Sequence, residues 1–316
     1  MRPVPMIDRN AKILILGASG LVGSALVRAH EKAEFEQLLS PPHADLDLTC
    51  QSDVRDYFAQ NKPDYVYFAA AKVGGIAAND RLRADAIWQN LAIQNNVFEA
   101  AHQSAVKKLL FFGSSCIYPK NAPQPIKEEA LLSGALEATN EPYAIAKIAG
   151  LKTAESFRRQ YNAPFYTIMP CNLYGFNDRF DGENGHVIPA LIARMKRAIE
   201  QGDSVFTCWG TGRPLREFLY DEDLARAAML VMEKADDRFP YWLNVGSGHE
   251  VSIHDLVKMI ARFLRFEGKI VFDPARPDGT MRKILDSQQI RALGWQPEIE
   301  FEAGLKLVVD SLCKRP

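Results

Sequence analysis

The amino-acid sequence predicts an α/β fold, a doubly wound parallel sheet with a smaller, interleaved C-terminal substrate domain. Three observations predict it. Short apolar runs alternate with helix-length segments from Lys12 to Gly175, the pattern of a parallel sheet. A glycine-rich turn, Gly17-Ala18-Ser19-Gly20-Leu21-Val22-Gly23, follows the first run at once and leads into a helix. Beyond Gly175 the texture changes to a loop rich in Asp, Asn and Gly, with further helices and a strand interleaved.

Lys12-Ile13-Leu14-Ile15-Leu16 ends at glycine and reads as a buried strand. Glycines after it let the backbone turn tightly and approach a pyrophosphate, whose charge the amino end of the next helix stabilises. Gly17, Ser19, Gly20, Leu21, Val22 and Gly23 are therefore candidate contacts to a dinucleotide in a Rossmann-type arrangement. The second strand is expected around Glu36 to Leu39. Its end, Ser40-Pro41-Pro42-His43, carries no acid to hold a ribose 2′-hydroxyl or repel a 2′-phosphate. Ser19 and Ser40 can donate to such a phosphate, so NADPH is the expected cofactor.

A helix is expected to start near Ser52, a strand to cover Asp64 to Phe68, and a long helix to run from about Ala84 to His102. Lys107 to Phe112 is the next strand, delivering Gly113-Ser114-Ser115-Cys116 at its carboxyl end. Pro164 to Met169 is another, delivering Cys171-Asn172-Leu173-Tyr174-Gly175. Parallel sheets bind ligands at the carboxyl ends of their strands, so the glycine turn, Ser114, Tyr143 and Asn172 are expected to converge there. Further on, His186-Val187-Ile188-Pro189 starts a helix through about Glu200, and Trp209 to Phe218 reads as a turn-rich loop with two arginines. A helix at Asp221 to Lys234 and a strand at Trp242 to Val245 return to the first domain. Ser252 and Asp255 resemble a capping box ahead of an amphipathic helix to Phe266, and Pro274 to Lys283 reads as a loop. The expected division is residues 1–172 with about 219–247 for the dinucleotide, and about 173–218 with 248–316 for the substrate.

The stretch Asn140-Glu141-Pro142-Tyr143-Ala144-Ile145-Ala146-Lys147 concentrates the chemistry. Pro142 suits the first turn of a helix, which the following alanines and isoleucine favour continuing. Tyr143 and Lys147 then share one face at i and i+4. A lysine ammonium favours the phenolate and lowers a tyrosine pKa from its ordinary value of about 10. The spacing alone equally suits a plain amphipathic helix, and Cys116 alone reads as a small buried hydrophobe. The glycine turn and the serine upstream give the pair its weight.

Composition excludes several classes. A formal net charge of -1 gives no basic excess for nucleic acid or a membrane surface. The five cysteines are scattered without a CxxC pair, which suggests neither a disulfide framework nor a metal site. Met1 to Asn10 has no apolar core of a leader, and no apolar run approaches the roughly 18 residues of a membrane span. A cytoplasmic setting is expected.

The glycine turn, the serine, YxxxK and a C-terminal substrate domain are together similar to the extended short-chain dehydrogenase/reductase superfamily. Ala70-Ala71-Lys72-Val73-Gly74-Gly75, Gly113-Ser114-Ser115-Cys116-Ile117-Tyr118-Pro119-Lys120 and the stretch from Asn140 to Gly150 resemble, more narrowly, the GDP-L-fucose synthase family. His186 to Leu191, the Trp209 loop and Pro277-Asp278-Gly279-Thr280 continue that likeness over nearly the whole chain.

The resemblance implies C3 and C5 epimerisation of GDP-4-keto-6-deoxy-D-mannose, then NADPH-dependent reduction at C4 to GDP-L-fucose, by a homodimer. A 4-keto group acidifies the protons on C3 and C5, and inverting both centres needs a base on one face and an acid on the other. By resemblance Ser114, Tyr143 and Lys147 are the reductase triad, and Cys116 and His186 the base and acid. Lys147, Asn172 and His186 also lie beside the cofactor, while Arg194, Trp209, Arg216, Asp278 and Lys283 contact the GDP-sugar. Cys171, Phe176 and Arg179 depart from the family's pattern beside the substrate loop. The nearest alternative is thus a sister enzyme on another GDP-4-keto-deoxy sugar, such as a GDP-L-colitose synthase. An NAD-retaining nucleotide-sugar 4-epimerase would share the triad without needing Cys116 and His186. A dinucleotide-sensing binding module would need no proton donor at Tyr143.

Overall fold

The computed structural model describes residues 7–74, 81–180, 185–276 and 278–313; Gly75 and Pro277 of the motifs above lie outside them. The chain runs β1 (Lys12–Leu16), α1 (Leu21–Lys32), β2 (Gln37–Leu39), α2 (Gln51–Asn61), β3 (Tyr65–Phe68), α3 (Arg83–Gln103), β4 (Lys108–Phe112), α4 (Glu141–Tyr161) and β5 (Phe165–Pro170). It continues through β6 (Asn172–Tyr174), α5 (Val187–Gln201), β7 (Val205–Trp209), β8 (Leu215–Tyr220), α6 (Asp221–Lys234) and β9 (Trp242–Val245). Last come β10 (Glu250–Ser252), α7 (Ile253–Leu264), β11 (Lys269–Asp273), β12 (Arg282–Lys283), α8 (Gln288–Ala292) and α9 (Phe301–Cys313).

Six strands form one sheet in the order β2-β1-β3-β4-β5-β9, and every pairing in it is parallel. Successive side chains on a strand face opposite sides, and here both sides are buried. Ile13, Ile15, Leu110 and Phe112 pack with Leu26 of α1 and Leu224, Val231 and Met232 of α6. Leu14, Leu16, Phe68 and Phe111 pack on the other face with Phe58 of α2, Phe98 of α3 and Ala154 of α4. The rings of Phe68, Phe98 and Phe111 meet at centroid distances of 5.2 to 5.6 Å. Burial on both faces explains why these strands read as unbroken apolar runs.

The chain leaves β1 for β2 on one side and comes back to β3 on the other, opening a crevice at that switch point. Gly17 occupies it with φ +86°, and a Cβ there would lie 2.8 Å from the backbone N and Cα of Ala70 beyond β3. A Cβ on Gly23 would collide with the carbonyl oxygen of Gly17, so the start of α1 is pressed directly onto the turn.

A third apolar cluster lies apart from the sheet. Ile188, Ile192 and Met195 of α5 pack with Phe206 of β7, Phe218 and Tyr220 of β8, Leu256 and Ile260 of α7, and Leu305 and Val308 of α9. Strand β8 pairs with β6, β10 and β12, and β7 pairs with β11. The expectation of a loop across Trp209 to Phe218 is corrected here, because Leu215 onward is strand. Its partners are distant in sequence, so neither periodicity nor local propensity announces it. At α7, Ser252 Oγ accepts from the N–H of Asp255 at 3.0 Å and donates to its carboxylate at 2.6 Å. The carboxylate thus meets the hydroxyl instead of the Ser252 N–H of a full capping box.

Gly23→Ala is expected to destabilise the protein by about 1–3 kcal/mol, the usual cost of overpacking, and to abolish dinucleotide binding. Thermal unfolding and cofactor titration of the purified variant check both. A wild-type melting temperature with unchanged binding would show that the turn yields.

Candidate active site

The end of β4 delivers the first group. Ser114 caps a short helical turn at Ser115–Ile117, and its Oγ accepts the N–H of Cys116 at 3.4 Å. Helix α4 supplies the second group from its buried face. Lys147 Nζ donates to the carbonyl of Phe112 at 2.7 Å. It lies 4.7 Å from the centroid of the Phe111 ring and 5.8 Å from that of Tyr143. One lysine therefore ties the helix to the end of the strand and brings Tyr143 within range of the Cys116 charge.

Burial governs the ionisation of this group. It pushes the Cys116 thiol up, against the Lys283 ammonium, the Ser114 hydroxyl, Lys147 and the Asn140 side chain, which draw it down in that order. It lowers Lys147 to about 8, and the Cys116 charge partly opposes this. Burial also pushes the Tyr143 phenol up, with the Cys116 charge adding to the effect. The expectation that Lys147 pulls the phenol down is thus corrected. The ammonium is held by the Phe112 carbonyl, and desolvation of the phenolate outweighs it. A phenol kept protonated in this way is a proton donor.

Strand β12 brings Lys283 into register with Arg216 on β8. Burial draws both cations below their usual values; the Cys116 thiolate opposes this at Lys283, and Asp278 opposes it at Arg216. Glu217, fully buried on β8, accepts the N–H of Gly248 at 2.7 Å and of Leu285 at 2.9 Å, fixing the chain just past Lys283. Burial raises its carboxyl to about 7. Asn172 is drawn to the same strand, its Nδ2 donating to the Glu217 carbonyl at 2.9 Å.

A second patch adjoins these cations. Trp209 is 60% exposed, and the guanidinium groups of Arg194 and Arg276 lie 5.5 and 5.3 Å from its ring centroid. Arg194 Nη2 also donates to the carbonyl of Thr207 at 2.6 Å. Both oxygens of Asp278 are taken by Thr211, from its N–H at 2.6 Å and its hydroxyl at 2.8 Å, joining the two loops around Arg216. His186 stands elsewhere, at the amino end of α5. Its Nδ1 is 3.5 Å from Asp178 Oδ1, which raises its pKa. Among the described residues no hydrogen bond or ion pair joins it to Cys116.

At the crevice, Ser19, Arg28, Ser40, Phe176 and Asn177 line an open cleft of about 610 Å³. Leu21 and Val22 begin α1 behind Gly20, whose ψ of 174° is extended. A tight turn with no room for a Cβ at Gly17 or Gly23, an exposed helix amino end and a cleft with hydroxyls and a cation together fit a phosphorylated dinucleotide. The cation is Arg28 on α1, whose Nη2 also pairs with Asp221 at 2.9 Å. Nothing in the sequence singled it out. Asn140, Asp178, Glu217 and Arg276 were missed too. Each nevertheless lies within or beside a stretch named above: Asn140 opens the Tyr143 stretch, Asp178 precedes Arg179, Glu217 follows Arg216 and Arg276 precedes Pro277.

The chain matches the NAD dependent epimerase/dehydratase family over residues 13–246. It is 49% identical to GDP-L-fucose synthase 1 of Arabidopsis thaliana, over 98% of this chain and 97% of that one. It is 47% identical to the GDP-L-fucose synthase of Escherichia coli (strain K12), over 93% of this chain and 94% of that one. Among solved structures it resembles a GDP-mannoheptose C4 reductase from Campylobacter jejuni with NADP bound. The TM-score is 0.89 at 35% identity, covering 98% of this chain and all of the other (100%).

The raised Cys116 thiol predicts slow alkylation by iodoacetamide at pH 7, steepening as pH rises, with exposed Cys313 as the fast internal reference. Lys283→Met should slow Cys116 further by removing the cation that most favours the thiolate. Peptide-level mass spectrometry reads both. A Cys116 rate unaffected by Lys283→Met would contradict the assignment.

Proposed function

The chain belongs to the NAD dependent epimerase/dehydratase family and, within it, to the GDP-L-fucose synthases, and on that premise we propose that it converts GDP-4-keto-6-deoxy-D-mannose to GDP-L-fucose. The observation that carries the reading is a thiol, Cys116, set within the Ser114, Tyr143 and Lys147 group and facing a second cation, Lys283. A simple ketone reductase needs no such thiol.

In this reading Cys116 Sγ takes the protons from C3 and C5, and His186 returns them on the opposite face. The 4-keto oxygen of the substrate carries the charge released on deprotonation, where the Ser114 hydroxyl and the Tyr143 phenol donate to it. Tyr143 Oη then gives its proton to that oxygen during reduction, and Lys147 supplies the neighbouring positive charge. NADPH supplies the hydride for C4 when bound. When bound, its pyrophosphate would be held at the turn of Gly17, Gly20 and Gly23, its 2′-phosphate by Ser19, Ser40 and Arg28, and its nicotinamide end beside Asn172 and His186. Arg216, Lys283 and Arg194 meet the GDP diphosphate, with Trp209 as an apolar wall and Asp278 holding the loops around them.

The proposal assigns the dinucleotide to residues 1–172 with about 219–247, and the sugar nucleotide to about 173–218 with 248–316. A homodimer is supported by Trp88 on α3 and Ile145 and Tyr161 on α4, apolar side chains that stand exposed on two paired helices. No helix among the described residues is long and apolar enough to cross a membrane. Five free cysteines suit the reduced cytoplasm that the proposal adopts.

Deuterium uptake from heavy water into the 4-keto sugar, with NADP+ present so that reduction cannot proceed, tests the reading. Wild type should label C3 and C5, Tyr143→Phe should label them while losing NADPH oxidation, and Cys116→Ser should label neither. Full labelling by Cys116→Ser would assign the base to another group and return Cys116 to packing.

A further inference from the structure

Asp178 is 6% exposed and His186 48% exposed, with Nδ1 3.5 Å from Oδ1. Oδ1 also accepts the N–H of Arg179 at 2.8 Å, whereas Oδ2 is buried with no hydrogen-bond partner among the described residues. The neighbouring imidazole meets this buried carboxylate on its Oδ1 side.

We propose that Asp178 is a positioning residue for His186, holding the ring with Nδ1 turned inward so that Nε2 is the edge that delivers a proton to substrate carbon. This rests on the reading of His186 as the epimerisation acid. The carboxylate selects the Nδ1–H form of the neutral ring, because only that form can donate to it. Nε2 is then left to carry the mobile proton. In the step itself the Nε2–H bond breaks, the electron pair of the substrate enolate forms the new C–H bond, and the imidazolium becomes neutral. Nδ1–H stays on Asp178, and the half-exposed ring regains its proton from solvent.

The place of His186 shows why a carboxylate is needed. It caps α5, and the positive amino end of a helix disfavours an imidazolium. Arg179 acts in the same direction, as does burial; Asp178 opposes them and leaves the pKa raised. The sign follows directly. With its pKa raised, His186 keeps the acid form to higher pH, and without Asp178 that form is lost at lower pH.

Histidine nitrogens of 15N-labelled protein, titrated by NMR in wild type, Asp178→Asn and Asp178→Glu, provide the test, with His186→Gln assigning the signal. Wild-type His186 should titrate above the ordinary value of about 6.5 and be the Nδ1–H tautomer when neutral. Asp178→Asn should lower the midpoint and mix the tautomers, and Asp178→Glu should restore both in part. In turnover, Asp178→Asn should reduce kcat most on the alkaline side, with KM for the GDP-sugar unchanged. An unmoved midpoint, or a wild-type pH profile in Asp178→Asn, overturns the pairing while His186 keeps its role. Full turnover by His186→Gln overturns that role instead. Should Asp178→Asn fail to fold, a wild-type midpoint at or below the ordinary value overturns the pairing by itself.

Discussion

Lys147 Nζ donates to the carbonyl of Phe112 at 2.7 Å, and much of the site hangs on that bond. It joins the second turn of a helix to the last residue of a central strand. The side chains that follow the strand, Ser114 and Cys116, are thereby set against Tyr143 one turn up the helix. Apolar packing of Phe111 against Phe68 and Phe98 keeps the strand end in place, so sheet burial and site geometry are one construction.

Desolvation is the second constraint, and it separates the roles of the titratable groups. Burial keeps Tyr143 protonated and brings Lys147 down to about 8, so the phenol acts as donor and the lysine as a readily tuned cation. The same burial pushes the Cys116 thiol up, and Lys283, carried in by β12 and fixed through the Glu217 clamp on Leu285, draws it partly back. His186 is tuned the other way, its acid form favoured by Asp178. In the proposed mechanism the base, Cys116, and the acid, His186, are thus tuned by different charges, which suits groups that act on opposite faces of one ring.

How much could be read without coordinates varied with how local the cause was. β1, β3, β4 and β5 announce themselves because burial on both faces makes them apolar throughout, and the turn at Gly17 follows β1 directly. Tyr143 and Lys147 are legible through helical spacing. The direction of the tyrosine shift was not, because it depends on how much water the fold removes. β8 and β12 escaped notice since their partners lie far along the chain, and with them went Glu217. Arg28 had no motif, and Asp178 stood beside Arg179 without a role; each gains meaning only when a loop and a helix are brought together. The likeness to a known family, in contrast, supplied Cys116 and His186 with roles that neither spacing nor composition could give.

The most direct test is incubation of the purified protein with GDP-4-keto-6-deoxy-D-mannose and NADPH, with the product's configuration at C3, C4 and C5 determined by NMR. The account predicts GDP-L-fucose, formed mole for mole with NADPH consumed. An unepimerised D-sugar formed with NADPH consumption, or no turnover of this substrate at all, would contradict it.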